Sequence, residues 1–183
     1  DPKSSNYIKG VGCQWAGRRA IPGIHIRYPE LKLYQTEQEC GDGANDWRYC
    51  RWAWTLMKIF LQNGTSAYYY WNISLKHGGV SRWGWAQNSL VTVDTKAKTF
   101  KYNYEYYLIK HLSHYVQAGA RRLDSMTLTG YDNLLVFANP DNSVVILTQN
   151  DHCQDLPIRI KAGNKVIAAT LQADSFNTFI VRT

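Results

Sequence analysis

No apolar run in this sequence is long enough to cross a bilayer, so no transmembrane segment is expected. Internal repeats and low-complexity linkers are absent as well, which excludes a solenoid. Cysteine is scarce: Cys13, Cys40, Cys50 and Cys153 form no CxxC pair and share no regular spacing. That pattern argues against a zinc site and gives little support to a disulfide framework, leaving reduced, mostly buried thiols as the expectation. Acidic residues are the minority, 14 Asp and Glu against 21 Lys and Arg, for a net charge of +7. The positive residues are scattered, however, with adjacent arginines only at Arg18-Arg19 and Arg121-Arg122. A solvated basic surface is therefore expected, and no nucleic-acid partner. No Ser, His and Asp arrangement has supporting context. His77 is read as a solvent contact, and His111 and His114 as packing or capping groups.

Aromatic residues make up 14% of the chain, and they sit among Asn, Gln and Gly rather than among Lys and Arg. Sugar rings present apolar C–H faces to stack and hydroxyls to hydrogen-bond, so this texture suits carbohydrate better than phosphate. At 183 residues and 45% hydrophobic content the chain can bury a good core, yet a complete (β/α)8 barrel needs roughly 250 residues. The first residue is Asp and no signal peptide is recognisable; a piece of a longer precursor, a processed chain or a recombinant product is expected.

Through residue 117 short apolar runs alternate with helical patterns, the βα signature of a parallel sheet. Strands are expected at 7–13, 31–37 and 67–71. A helix capped by Asn45 or Asp46 should end at Asn63-Gly64 and bury Cys50, Ala53, Trp54, Met57, Phe60 and Leu61. A second, from about Asn103 to Val116, places Tyr104, Tyr107, Leu108, His111, Leu112 and Tyr115 on a stripe read as core. After Ala120 the runs LLVFANP, SVVILTQN, LPIRIK, KVIAATL and FNTFIVRT, separated by polar turns, read as an antiparallel sandwich.

The stretch LKLYQTEQECGDG, Leu31 to Gly43, is where chemistry is expected, because an apolar strand ends in carboxylates at a glycine-rich turn. Glu37 and Glu39 are poor core residues unless a site needs them. From the residues alone, Glu37 reads equally as a catalytic group and as a surface Glu at a strand end. Glu39, two positions on, pairs conceivably with Glu37 across about 6.6 to 6.8 Å. More plainly it is a hydrogen-bond partner at the loop base, for Arg48 or Arg51. Asp42 is expected to shape the mouth, and Asn45 and Asp46 to cap the helix.

The order GVGCQWAG, LYQTEQECGDGANDW, YYYWNISL, WGWAQNSLVTVD and YNYEYYLIKHLSHYVQAGARR resembles the C-terminal half of glycoside hydrolase family 30, almost end to end. The resemblance implies an α/β plus all-β fold. On that resemblance residues 1–117 would be the C-terminal portion of a TIM-barrel catalytic domain, strands six to eight, and residues 118–183 most of a β-sandwich. It implies a retaining β-glycosidase, with Glu37 of TEQEC as nucleophile. The family's acid/base Glu follows an Asn, and no Asn-Glu pair occurs here, so that group is expected outside this chain. Trp71 and Asn72 match the family's WN motif, implying a floor on which sugar stacks; core packing is the rival role for Trp71. The Asn72-Ile73-Ser74 triplet also fits a glycosylation sequon, but Asn72 is read as lining the site. Trp85 and Asn88, in the loop after strand eight, and Gln14 and Trp15, at the end of strand six, complete the candidate substrate contacts.

The implied mechanism needs no metal and no cofactor. The expected partners are a β-linked oligosaccharide, polysaccharide or glycolipid substrate, and either a companion N-terminal barrel half or a second copy. The GDGANDW and WGWAQNS texture looks closer to members acting on β-1,6-glucan than to glucosylceramidases. Such substrates fit an extracytoplasmic or lysosomal location. A non-catalytic carbohydrate-binding or interaction module is the alternative.

Overall fold

The computed structural model describes residues 2–182, and the chain divides after Leu108 into two units. In the first, helix α1 (Pro2–Ser5) precedes β1 (Gly10–Gln14). A 3-10 turn (Trp15–Arg19) and α2 (Ile21–Arg27) carry the chain to β2 (Lys32–Glu37), and α3 (Trp47–Gln62) carries it to β3 (Thr65–Tyr68). The strands form a parallel sheet in the order β1-β2-β3. β1 begins at Gly10 and β3 ends at Tyr68, each a few residues from the expected bounds. Register pairs Gln14 with Glu37 and Gln35 with Tyr68, which brings the carboxyl ends of all three strands to one rim.

α3 starts where its cap dictates: Asp46, in an extended conformation, accepts a 2.8 Å hydrogen bond from the Tyr49 amide, one of the donors a helix start leaves unpaired. Its apolar stripe is buried as its spacing requires, with Tyr49 and Leu56 added to it. Cys13, Ile21, Leu33 and Phe60 form a core flanked by Val11, Ile24, Leu31 and Ile59. Cys13, Cys40 and Cys50 are buried and Cys153 is exposed, and none forms a disulfide.

A second, mixed sheet of short strands follows, β4 (Ser74–Lys76), β5 (Val91–Asp94) and β6 (Thr99–Tyr102), in the order β4-β5-β6. Helix α4 (Tyr104–Ser113) crosses the division between the units. Its expected stripe needs correction. Leu108 is buried, but Tyr104 and Tyr107 are about half exposed, and the residue buried beside Leu108 is Glu105. The tyrosines find partners outside the core: Tyr102 stacks on Tyr106 at 4.1 Å, and Tyr106 meets Tyr107 edge-on at 5.3 Å.

The second unit is antiparallel. β7 (Arg121–Leu123), β8 (Leu134–Ala138), β9 (Val144–Asn150) and β12 (Ser175–Val181) form one sheet in the order β12-β9-β8-β7, and β10 (Leu156–Ala162) pairs with β11 (Lys165–Leu171) in another. All five expected runs are strands. Leu135, Phe137, Val145, Leu147 and Leu171 are buried. Asn150 ties the two sheets, its amide nitrogen donating to the carbonyls of Gln154 at 2.8 Å and Gln172 at 2.9 Å. His111 reaches Thr178 Oγ1 at 2.7 Å, and burial holds the pKa of its imidazole down.

Candidate active site

Glu37 is the last residue of β2, half-buried at the rim, and the indole N–H of Trp15 donates to its Oε1 at 2.7 Å. Trp15 follows β1 directly with φ of 43°, a left-handed conformation that a bulky residue adopts only when its surroundings enforce it. One enforcing contact is visible: Arg18 donates to the Trp15 carbonyl at 3.1 Å. The same guanidinium forms an ion pair with Glu39 and lies 5.6 Å from the Trp52 ring centre, while Trp52 Nε1 donates to Glu39 Oε2 at 3.1 Å.

The partners expected for Glu39, Arg48 or Arg51, are therefore replaced by Arg18 and Trp52. The strand ends at Glu37, and the chain beyond it turns Glu39 toward the 3-10 turn and α3, so the two carboxylates do not act as a strand-borne pair. Arg48 pairs instead with Asp42. The Ala44 amide and then Arg48 hold the Asp42 carboxyl below its usual range. A cavity of about 360 Å³ opens beside this cluster, walled in part by Trp15, Glu39, Asp42, Tyr49 and Trp52; Glu37 is not among its walls.

Behind the rim the ends of β2 and β3 are stapled. Buried Gln35 accepts from the Tyr69 amide at 2.8 Å, and buried Gln38 accepts from the Tyr68 hydroxyl at 2.6 Å. The turn after Glu37 is held by Asn88, whose Oδ1 accepts from the amides of Gly43 at 2.8 Å and Asn45 at 3.3 Å. Its Nδ2 donates to Glu105 Oε1 at 2.8 Å. Asn88 is fully buried, so its expected sugar contact is corrected: this amide is spent on holding the turn. Asn45 also departs from expectation. It does not cap α3; its Oδ1 accepts from the Ser89 amide at 2.9 Å and Asn103 Nδ2 at 3.1 Å.

Trp71 is exposed at the third strand's end, and Asn72, half-buried and joined to it by a cis peptide bond, points its amide nitrogen at Gln87 Oε1 and the Asn88 carbonyl. Gln14 is exposed at the end of β1. Trp85 and Trp83 are exposed, and Trp85 meets Trp15 edge-on with centroids 6.4 Å apart. The fold thus gathers Glu37, Trp15 and Trp85 into one cluster, leaves Gln14, Trp71 and Asn72 at strand ends of the rim, and puts Asn88 behind it. Arg18, Trp52 and Glu105 escaped the sequence reading. Only the buried Glu105 on an otherwise apolar helix stripe left a trace in the sequence, as a carboxylate at core spacing. Among the described residues no group of three or more His, Cys, Asp and Glu is placed to hold a metal ion, and no helix is long and apolar enough to cross a membrane.

The sequence model of the glycosyl hydrolase family 30 beta sandwich domain matches residues 119–179. Residues 119–179 thus match a family 30 β-sandwich domain. Likeness in structure extends over the whole chain. SrfJ from Salmonella typhimurium superposes with a TM-score of 0.87 at 26% identity, over 100% of this chain and 43% of its own. The endo-β1,6-glucanase BT3312 gives 0.84 at 24% identity, over 98% and 42%. A family 30 endoxylanase from Clostridium papyrosolvens gives 0.72 at 16%, over 100% and 51%. The chain therefore spans about two fifths to one half of the length of these relatives. No curated protein matches it in sequence.

Proposed function

We propose that this family 30 chain supplies the nucleophile side of a retaining β-glycosidase site acting on β-linked glucosides, with β-1,6-glucan as the first candidate substrate and glucosylceramide as the second. Residues 1–117 would belong to the catalytic barrel and residues 118–183 to the sandwich. The observation that carries the reading is Glu37 itself: a carboxylate at the carboxyl end of a parallel strand, oriented by a neutral indole donor at 2.7 Å and bordered by exposed tryptophans. Likeness to an endo-β1,6-glucanase supports the substrate class.

In this reaction Glu37 attacks the anomeric carbon as the bond to the leaving oxygen breaks, and a second carboxylic acid gives that oxygen its proton. Water, deprotonated by the same second group, then cleaves the glycosyl ester and frees Glu37. The neighbouring carboxylates Glu39 and Asp42 are each held by an arginine, so neither suits the proton donor. A companion barrel half would bring it. Trp71, Asn72, Trp85, Gln14 and Trp15 would line the sugar site. The exposed indoles favour sugar binding independent of Glu37, which leaves a non-catalytic binding module as the second reading.

The deciding experiment supplies the N-terminal barrel half of a family 30 enzyme to this chain and assays aryl β-glucoside, β-1,6-glucan and glucosylceramide. Turnover that disappears in Glu37→Gln supports the hydrolase. Sugar binding that survives Glu37→Gln, with no turnover in either protein, supports the module.

A further inference from the structure

The turn that follows β1 carries its own clamp. Trp15–Arg19 winds as a 3-10 helix, closed by the Ala20 amide donating to the Gly17 carbonyl at 2.9 Å. With about three residues per turn, Arg18 falls directly over Trp15. Its guanidinium donates to the Trp15 carbonyl at 3.1 Å, across the residue whose φ of 43° costs backbone energy. Gly17 lets the turn press against the end of β1, since a Cβ there would lie 2.8 Å from the Cys13 Cβ. Gln14, at the start of the turn, adds no side-chain bond. Arg18 is in turn gripped from α3. Glu39 Oε1 takes the guanidinium in an ion pair, Glu39 Oε2 accepts from Trp52 Nε1 at 3.1 Å, and the Glu39 carbonyl accepts from the Tyr49 hydroxyl at 2.7 Å. Tyr49 and Trp52 both stand on α3, whose apolar face is buried.

A line of contacts therefore runs from α3 through Glu39 and Arg18 to the Trp15 backbone, and from the Trp15 indole N–H to Glu37 Oε1 at 2.7 Å. We propose that Arg18, anchored by Glu39, is a positioning residue that holds the strained Trp15 turn so that the indole N–H stays on the Glu37 carboxylate. The positive charge of Arg18 is met by Glu39, so the clamp fixes the indole without placing a cation on Glu37. A donor held by a tethered backbone keeps its aim, whereas a displacement on the order of 1 Å at a reacting group costs much of the rate. The catalytic consequence rests on Glu37 being the nucleophile; the structural one does not.

Two experiments separate these consequences. In the nitrogen-15-labelled 183-residue chain, the indole N–H signal that is missing from Trp15→Phe belongs to Trp15. Glu37→Gln should shift that signal, because the carboxylate it faces is gone. Arg18→Ala should shift it as well, and once Arg18 is removed the further change Glu37→Gln should leave it in place. A Trp15 signal that Arg18→Ala does not move, or that answers to Glu37→Gln equally with and without Arg18, overturns the positioning. Should circular dichroism show Arg18→Ala unfolded, Glu39→Gln takes its place: it weakens the anchor, and a Trp15 signal it leaves unmoved overturns the proposal equally. The second experiment is kinetic, on aryl β-glucoside with the barrel half supplied. Arg18→Ala should lower kcat about tenfold with KM within about twofold, and should cost less than about twofold in a Trp15→Phe background, where the donor it positions is already gone. Additive losses, or a raised KM at unchanged kcat, overturn the catalytic role. If hydrolysis survives Glu37→Gln, the nucleophile assignment and the catalytic role of Arg18 fall together, and the signal shifts alone decide the positioning. If Glu37→Gln abolishes hydrolysis but the two losses add, only the role of Arg18 in catalysis is rejected.

Discussion

Glu37 and Glu39 are two residues apart and meet different fates because of what faces them. Arg18 holds Glu39 in an ion pair and Trp52 donates a second bond to it, while Glu37 receives a single neutral N–H. A neutral donor orients a carboxylate without quenching the charge that attack requires. Trp15→Phe keeps an aromatic ring, though a smaller one, and deletes that donor. A hydrogen bond to a charged group contributes about 1.5–3 kcal/mol, so kcat of the complemented enzyme should fall about 10- to 100-fold with a smaller change in KM. Steady-state kinetics on aryl β-glucoside checks this. Glu105 makes a prediction of another sort. Burial, ahead of the nearby Asp46 charge, raises its pKa above the ordinary 4.5. The folded chain therefore keeps that proton to higher pH than the unfolded chain, and stability declines as pH climbs from 4.5 through the folded value. Glu105→Gln retains the bond from Asn88 and has nothing to ionise, so its Tm relative to the parent should climb between pH 4 and pH 7. A constant difference across that range would show Glu105 unperturbed. The partners of Glu39 and Glu105 were not legible in the sequence. The Arg18–Glu39 contact spans 21 positions and the Asn88–Glu105 contact 17, and local spacing carries no record of such pairs.

Elements were more legible than contacts, and α3 shows why. Its cap and its apolar stripe are local signals that agree with each other, and the helix obeys both. Their weights differ. Trp54→Ala, at a position 2% exposed, should destabilise the first unit by about 3–5 kcal/mol, whereas Asp46→Ala, which removes only the cap, should do so by about 1 kcal/mol. Urea unfolding followed by tryptophan fluorescence separates the two. The sandwich strands β8 to β12 were equally visible as apolar runs between polar turns. The sheet β4-β5-β6 was not, because strands of three and four residues are too short to establish an alternation. In α4 the helical period was right and its buried face wrong, since Tyr102 on β6 stacks with Tyr106 outside the core.

Among the described residues β1 and β3 each have one strand neighbour, so the parallel sheet presents two unpaired edges at the scale of the whole molecule. Parallel sheets are normally closed or covered. Sedimentation velocity should show association of the purified chain that grows with concentration and disappears when a barrel half is added. A single monomer at all concentrations would count against uncovered edges. On the proposed function, the chain by itself should also leave aryl β-glucoside intact, since the neighbouring carboxylates Glu39 and Asp42 are each held by an arginine. One more consequence follows from the turn at Gly41, where a Cβ would lie 2.5 Å from the Asn88 side chain and φ is 74°. That segment has no freedom to diverge, because almost any replacement would dislodge the amide that holds it. The Ser81–Trp85 segment leans chiefly on its own serine, and Arg82, Trp83 and Trp85 are exposed. Under the proposed function, new sugar preferences would therefore arise by mutation in the outer loop, while the segment that follows Glu37 stays as it is.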